Sequence, residues 1–445
     1  MSQHFVIIGA GPAGEAAARK IRHLSQISGS SESVQISLIE KKEPGGLCLN
    51  RGCVPSKTLL EQLHHRNKNE PDVDWNHLQD LKNQVVSNIR TQLERSLKTQ
   101  KINLIRGIGE FSGPNTIELK GQESPKSLLF DKAIVTTGTE IFYPPPLDQF
   151  RKDLLNSDKV LQLRQTPKSI LIIGGGPIGL EFACLLQAAG SAVTVVEMLP
   201  TILPGEDPAV VSALTRSFEN RGIVIKSQST VKTLEKTAGG WKVNLQSGEN
   251  IEVEQILCCV GRVSNPTSLQ PEKAGIQVEK NQIKINENLQ TTNPNVYAAG
   301  DVTTTRLAHA AAAQGNIAAA NAWGDKKTFD PSFVPRCLYT WPEVASVGAW
   351  KSDLESLNLP VKAARAFYKG SAKALAANET EGFVQIISDP GSKKILGAQI
   401  IGANATELIH IFSVALKTNM TTDQLGEVIF AHPTLAEMVK EAAKK

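Results

Sequence analysis

The sequence predicts an α/β protein: two doubly wound units, each opening on a buried strand, a glycine turn and a helix, then a smaller α+β domain. Three observations carry this. Phe5–Ile8 is a short apolar run that leads at once into Gly9, Gly11 and Gly14 and a helix-forming stretch. The same design returns at Ser169–Ile173, Gly174, Gly176 and Gly179. From Phe333 onward, strand-like runs around Ala345, Gly382–Ser388 and Lys394–Ile401 carry no such glycine pattern.

Composition sets the outer bounds. The 445 residues, 21% charged and 41% hydrophobic, describe an ordinary globular chain of roughly two to four domains. A net charge of +4, spread along the chain, argues against a nucleic-acid binder. No apolar run is long enough to span a membrane, and Met1–His4 leads into a strand without a basic leader, so a cytoplasmic protein is expected. The six cysteines, at 48, 53, 184, 258, 259 and 337, are too few and too irregular for a secreted disulfide scaffold. Cys184, Cys258 and Cys259 fall in apolar runs and are expected in the core.

In the first unit, Gly9 permits the tight turn, Gly11 a close approach by pyrophosphate, and Gly14 close packing of helix on strand. The helix, expected over Glu15–Leu24, then turns its N-terminus to the phosphates. A second strand, Val34–Ile39, ends in Glu40, a carboxylate suited to a ribose diol. The 26-residue gap from Gly14 exceeds the usual spacing, and Ser25–Ser33 is expected to be a loop insertion that absorbs the excess. In the second unit, a helix over Leu180–Ala189 and a strand over Ala192–Val196 lead to Glu197, 18 residues after Gly179. One such pattern is weak evidence; two complete ones imply two dinucleotides. Glu197 favours NAD, since a 2′-phosphate at about 4 Å would be repelled by roughly 4 kcal/mol per unit charge at an effective dielectric near 20. Met198–Asp207 contains no arginine to receive that phosphate.

Between the two units lies GGLCLNRGCVPSK, Gly45–Lys57, with Cys48 and Cys53 five positions apart. A disulfide closing so short a loop constrains the unfolded chain little, which points to a bridge made to open and close. Thr58-Leu59-Leu60-Glu61 reads as a capping box, so a helix is expected near Pro55, with Cys53 at its N-terminus, where the dipole favours a thiolate. The plain alternative, buried or metal-binding cysteines, lacks further ligands at metal-site spacing, and no metal is expected. Residues 60–100 read as one long amphipathic helix through Leu78, Leu81, Val85, Ile89, Leu93 and Leu97, with His64, His65 and His77 solvated.

Lys132–Thr137 is a strand that ends at Gly138, and Tyr143–Pro146 reads as a linker. Buried strands before Gly261 and Gly300 follow, the latter placing Asp301 at a strand's C-terminal end, where α/β sheets bind ligands. Leu307, Ala308 and His309 open an alanine-rich helix. Near the end stand His432-Pro433-Thr434 and Glu437. Thr434 and Glu437 alone would read as a capping box. Beside the cysteine pair, Glu437 is expected to orient and charge His432, the acid–base partner of a thiol.

These motifs, with VYAAGDV, LYTWPEVASVG and AHPTLAE, resemble the class I pyridine nucleotide-disulfide oxidoreductases over nearly the whole chain, in collinear order. The resemblance implies an FAD domain over 1–146 completed by a central segment over 266–330, an NAD domain over 147–265, and a dimerisation domain over 331–445. It implies FAD at Gly9, Gly11, Gly14, Glu40, Lys57, Gly138, Asp301, Leu307, Ala308 and His309, and NAD at Gly174, Gly176, Gly179, Glu197 and Gly261. It further implies a redox disulfide Cys48–Cys53 and a buried Lys57–Glu181 pair beside the flavin, although Glu181 also reads as an ordinary helix residue. His432, with Glu437, would come from the second subunit of a homodimer.

Within the family the chain resembles the dihydrolipoamide dehydrogenase branch, which implies electron transfer from dihydrolipoyl groups to NAD and a lipoyl-bearing acyltransferase complex as partner. Leu47, Arg51, Val263-Ser264 and Trp341 depart from the usual pattern and leave the disulfide substrate open. The alternatives are an NAD(P)H-dependent reductase of another small disulfide, glutathione-like, and an NADH:quinone flavoprotein.

Overall fold

The computed structural model describes residues 3–64, 73–121 and 127–445. The chain forms two compact units: Met1–Thr58 with Gln79–Phe142 and Gly261–Phe329, and Leu59–Leu78 with Tyr143–Val260 and Asp330–Lys445.

The first unit is built on a five-stranded parallel sheet. β1 (Gln3–Ile8) lies at its centre, between β2 (Val34–Glu40) and Lys132–Val135; Asn103–Arg106 and Val296–Ala298 form the edges. Val6 and Ile7 are fully buried, as a strand covered on both faces requires. Against this sheet lie α1 (Pro12–Ile27) and the alanine-rich helix Ala308–Trp323. Small residues let the two approach closely: a Cβ on Gly315 would lie 2.1 Å from the Ala13 carbonyl oxygen. α1 runs three residues past its expected end, so the insertion begins at Ser28 and ends in a short 3₁₀ turn, Ser31–Ser33. Ser25 is buried, and its hydroxyl donates to the Arg22 carbonyl, which makes it a helix residue rather than a loop residue.

The redox stretch supplies α2 (Gly46–Arg51) and α3 (Cys53–His64). The expected capping box is absent. α3 starts at Cys53, which stands at its N-terminus as expected, and the Thr58 hydroxyl bonds back to the Val54 carbonyl at 2.8 Å. The single helix expected over 60–100 is instead α3 and a separate α4 (Trp75–Thr99); His65 and its neighbours to 72 lie outside the described residues. His64 is exposed, as expected. It stacks on Trp341 with ring centroids 5.2 Å apart and lies 3.7 Å from a Glu379 oxygen.

In the second unit a four-stranded parallel sheet runs in the order Val224–Lys226, Ala192–Val196, Ser169–Ile173, Gln255–Cys258. Leu59, Leu60, Leu63 and Trp75 pack in one cluster with Ile170, Ile172 and Leu180, which is why Leu59–Leu78 groups with this unit. Cys184 is buried there, and burial pushes its thiol up to about 12. A five-stranded antiparallel sheet follows, in the order Arg336–Leu338, Glu343–Gly348, Ile395–Gly402, Phe383–Ser388, Lys362–Phe367. The two outer strands are additional to the three expected; Lys362–Phe367 is an edge strand whose charged and small residues hide the strand pattern. Helix Ala405–Lys417 buries Ile409 and Phe412 with this sheet, and the closing helix Glu437–Ala443 buries Met438, Val439 and Ala442.

Candidate redox and dinucleotide sites

Two backbone cradles of the same design stand at the C-terminal ends of the two parallel sheets. Gly9 and Gly174 have φ of +107° and +110°, a region that favours glycine. A Cβ on Gly14 would lie 1.8 Å from the Gly9 carbonyl oxygen, and one on Gly179 would lie 2.0 Å from that of Gly174. Both helices therefore need glycine to pack on their strands. The buried Glu40 carboxylate accepts from the Ala10 and Lys42 N–H groups at 2.8 Å each. Glu197 repeats this with Gly175 at 2.6 Å and Leu199 at 2.8 Å. Each carboxylate oxygen keeps capacity for a further bond, so both are fixed in place to meet a hydroxyl.

The helix N-termini behind these turns, capped by Gly11 and Gly176, carry no side-chain cap bond. Their first-turn N–H groups are left to a phosphate, and the glycines put no side chain in its way. The residues of each cradle fit the pyrophosphate and ribose of a dinucleotide.

Other residues expected at the flavin gather on the same sheet edge. Gly138 follows the Lys132–Val135 strand and Asp301 the neighbouring Val296–Ala298 strand. The Thr139 hydroxyl donates to Asp301 at 3.3 Å, and burial pushes the Asp301 carboxyl up. Arg262 donates to both the hydroxyl and the carbonyl of Thr139, at 3.0 and 2.8 Å. Neither Thr139 nor Arg262 carried a sequence signal of this role. Leu307 caps the following helix, with Ala308 and His309 in its first turn. Gly261 belongs to the first unit, whereas Gly174, Gly176, Gly179 and Glu197 belong to the second. Lys57 and Glu181 are likewise divided; Glu181 is buried and accepts the Tyr339 N–H at 3.1 Å, a contact with no sequence signature.

The redox loop is set against the first cradle. Gly45 and Gly46 have φ of +89° and +60°; the Gly45 N–H donates to the Ala10 carbonyl at 2.7 Å, and a Cβ on Gly46 would lie 2.7 Å from Gly11 Cα. Cys48 and Cys53 are hydrogen-bonded to each other. That bond, then burial, holds the Cys48 thiol far above its ordinary range, and Lys57 offsets this only in part. Cys53, the first residue of α3, has the helix dipole behind it, which favours a thiolate there. A groove of about 450 Å³ opens on Cys48 between α1 and α4, with Glu15 and Arg19 on one side and Ile89, Leu93 and Ser96 on the other.

In the second unit, His432 Nδ1 lies 3.0 Å from one Glu437 oxygen, and the Thr434 N–H donates to the other at 3.0 Å. The Thr434 hydroxyl turns instead to the Ala431 carbonyl, so only half of a capping box forms. The Thr434 N–H first, and His432 second, hold the Glu437 carboxyl below its ordinary value. An ionised carboxylate only accepts, so Nδ1 carries the proton and Nε2 is the basic nitrogen. The imidazole is 71% exposed.

Two family models match the chain: pyridine nucleotide-disulphide oxidoreductase over residues 3–315, and the dimerisation domain of the same family over 334–443. A dihydrolipoyl dehydrogenase of Chlamydia muridarum is 36% identical, covering 98% of this chain and 95% of its own. One of Bacillus subtilis is 32% identical, covering 98% and 97%. Among solved structures, LpdA from Mycobacterium tuberculosis superposes with a TM-score of 0.91 at 25% identity, covering 99% of each chain. The HOCl-induced flavoprotein disulfide reductase RclA from Escherichia coli gives 0.89 at 25% identity, again covering 99% of each.

Proposed function

Because the chain belongs to the pyridine nucleotide-disulphide oxidoreductase family, and is an FAD- and NAD-dependent oxidoreductase, we propose that it carries electron pairs from dihydrolipoyl groups to NAD through Cys48 and Cys53. The observation that carries this reading is the hydrogen-bonded cysteine pair, with Cys53 at a helix N-terminus.

His432 Nε2, contributed by a second copy of the chain, takes the proton of a substrate thiol. The resulting thiolate attacks Cys48 of the oxidised bridge; a mixed disulfide forms and Cys53 leaves as a thiolate. The second substrate thiol then attacks the mixed disulfide, closes the substrate's own disulfide and returns its proton to Cys48. Two electrons thus reach the cysteine pair, with one proton on Cys48 and one on His432. Glu437 holds the imidazole with Nδ1 protonated and so keeps Nε2 free to take the proton. FAD, when bound, supplies a two-electron acceptor and NAD the final hydride acceptor.

Gly9, Gly11, Gly14, Glu40, Gly138, Asp301 and the Leu307–His309 turn would hold FAD, with Lys57 paired to Glu181 beside it. Gly174, Gly176, Gly179, Glu197 and Gly261 would hold NAD. On this reading segments 1–146 and 266–330 form the FAD domain, 147–265 the NAD domain and 331–445 the dimer contact. The enzyme would be a cytoplasmic homodimer that serves a lipoyl-bearing acyltransferase complex. Among the described residues no helix is long and apolar enough to cross a membrane.

The test is steady-state turnover of Cys48→Ser with dihydrolipoamide and NAD. Activity should fall at least about a thousandfold while bound FAD is retained; full turnover would sink the thiol relay. Faster turnover of another small disulfide than of lipoamide would instead overturn the substrate while leaving the relay standing.

A further inference from the structure

Arg51 stands between the two cysteines, as the last residue of α2. Its guanidinium donates to the Glu43 carboxylate at 2.6 Å, and the Arg51 side chain is 21% exposed. The adjacent Asn50 amide donates to the Pro44 and Gly46 carbonyls at 2.9 Å each and accepts from Arg90 at 3.3 Å. Residues 50 and 51 thus tie the tip of the redox loop back to the segment Glu43–Gly46 that enters it. Burial, the largest single effect, works against the Glu43 carboxylate, yet the Arg51 bond and charge, with its own backbone N–H and the Arg90 charge, together hold the carboxyl below its ordinary value.

We propose that Glu43 and Arg51 are a positioning pair that sets the reduction potential of the Cys48–Cys53 couple. The inference rests on the thiol relay above, not on the identity of its substrate. The sign follows from which redox state the tether constrains. In the disulfide the loop is already closed by the S–S bond, so the ion pair removes little further freedom. In the dithiol nothing covalent closes it, and the ion pair keeps the two sulfurs within hydrogen-bonding reach, which favours closure. Loss of the tether therefore frees the dithiol more than the disulfide, and the pair becomes easier to reduce. An electrostatic role would act differently. Removing Arg51 would leave a carboxylate that opposes a nearby thiolate, whereas removing Glu43 would leave a guanidinium that favours it. The tether gives shifts of one sign; the electrostatic account gives opposite signs.

The test equilibrates the FAD-loaded enzyme with dithiothreitol and its cyclic disulfide at fixed ratios. Each enzyme disulfide reduced gains two electrons and two protons as one dithiothreitol loses them. Acid quenching, alkylation and mass spectrometry of the Cys48–Cys53 peptide then give the midpoint. Arg51→Ala and Glu43→Ala should each ease reduction by about two- to tenfold in the equilibrium constant, or about 10–30 mV at 29.6 mV per tenfold. The double variant should move no further than either single one, since both remove one interaction. Glu43→Gln, which keeps side-chain shape, guards against misfolding and should shift in the same direction. Arg51→Lys, which retains charge but not the planar fork, should restore part of the change. Unmoved midpoints in all variants, additive shifts or shifts of opposite sign would each overturn the proposal.

Discussion

At the scale of single residues, the site turns on where protons sit. The Cys48–Cys53 bond and the burial of Cys48 favour its protonated thiol. The carboxylate of Glu437 does the same for His432 by admitting only a protonated Nδ1 beside it. Glu437 sits below the ordinary carboxylate range in the folded chain, so its bonds are fully present above that range and are lost only as the medium acidifies through the depressed value. The arrangement is therefore intact at neutral pH. His432→Gln should lower kcat/KM for dihydrolipoamide by about 10²–10⁴-fold, the range of a lost general base. Glu437→Gln should cost less, on the order of 10–100-fold, as for a lost partner that orients an imidazole, with part recovered in Glu437→Asp. Equal turnover in His432→Gln and the parent, measured by NADH absorbance, would remove the imidazole from the reaction. The sequence makes these residues legible because spacing alone sets the two thiols five positions apart and puts His432 near Glu437. It conceals Tyr339 and Thr139, whose contacts with Glu181 and Asp301 join residues more than 150 positions apart.

At the scale of elements, each cradle depends on a glycine that no other residue can replace. A Cβ on Gly179 would meet the Gly174 carbonyl oxygen at 2.0 Å, and backbone cannot swing aside as a flexible side chain could. Gly179→Ala should push the helix Pro177–Ala188 off its strand, retain FAD and raise KM for NAD at least about tenfold. A dinucleotide titration followed by fluorescence, with the flavin spectrum as control, separates the two cradles; equal loss of both cofactors would deny them independence. Strand and turn positions here were readable because burial on both sheet faces demands unbroken apolar runs. For α3, Cys53 stands at the helix N-terminus as expected, but the capping box was misjudged, because Thr58 and Glu61 satisfy that pattern by composition alone while the Thr58 hydroxyl bonds inside the helix.

At the scale of the whole molecule, the chain carries its family's dimerisation domain over residues 334–443. The thiols and the imidazole of the proposed site lie in different compact units of one chain. If the site is shared between two copies, mixing Cys48→Ser with His432→Gln after reversible dissociation should rebuild one competent site in each mixed dimer. Random reassortment then returns about a quarter of the parental activity from two nearly inactive stocks. Activity that stays at the level of the separate variants, with subunit exchange confirmed by native mass spectrometry, would place both halves of the site on one chain.

By itself the sequence determined the two glycine cradles with their acidic strand ends, the thiol pair and the His432–Glu437 motif. Each is a local pattern, in which neighbours along the chain impose the geometry through backbone sterics and short-range hydrogen bonds. Tertiary structure alone decided that His64 packs on Trp341, that Arg51 closes on Glu43, and that Leu59–Leu78 belongs with the second unit. Those outcomes depend on which surfaces meet once sheets and helices have formed, and no period or spacing in a single chain encodes that choice.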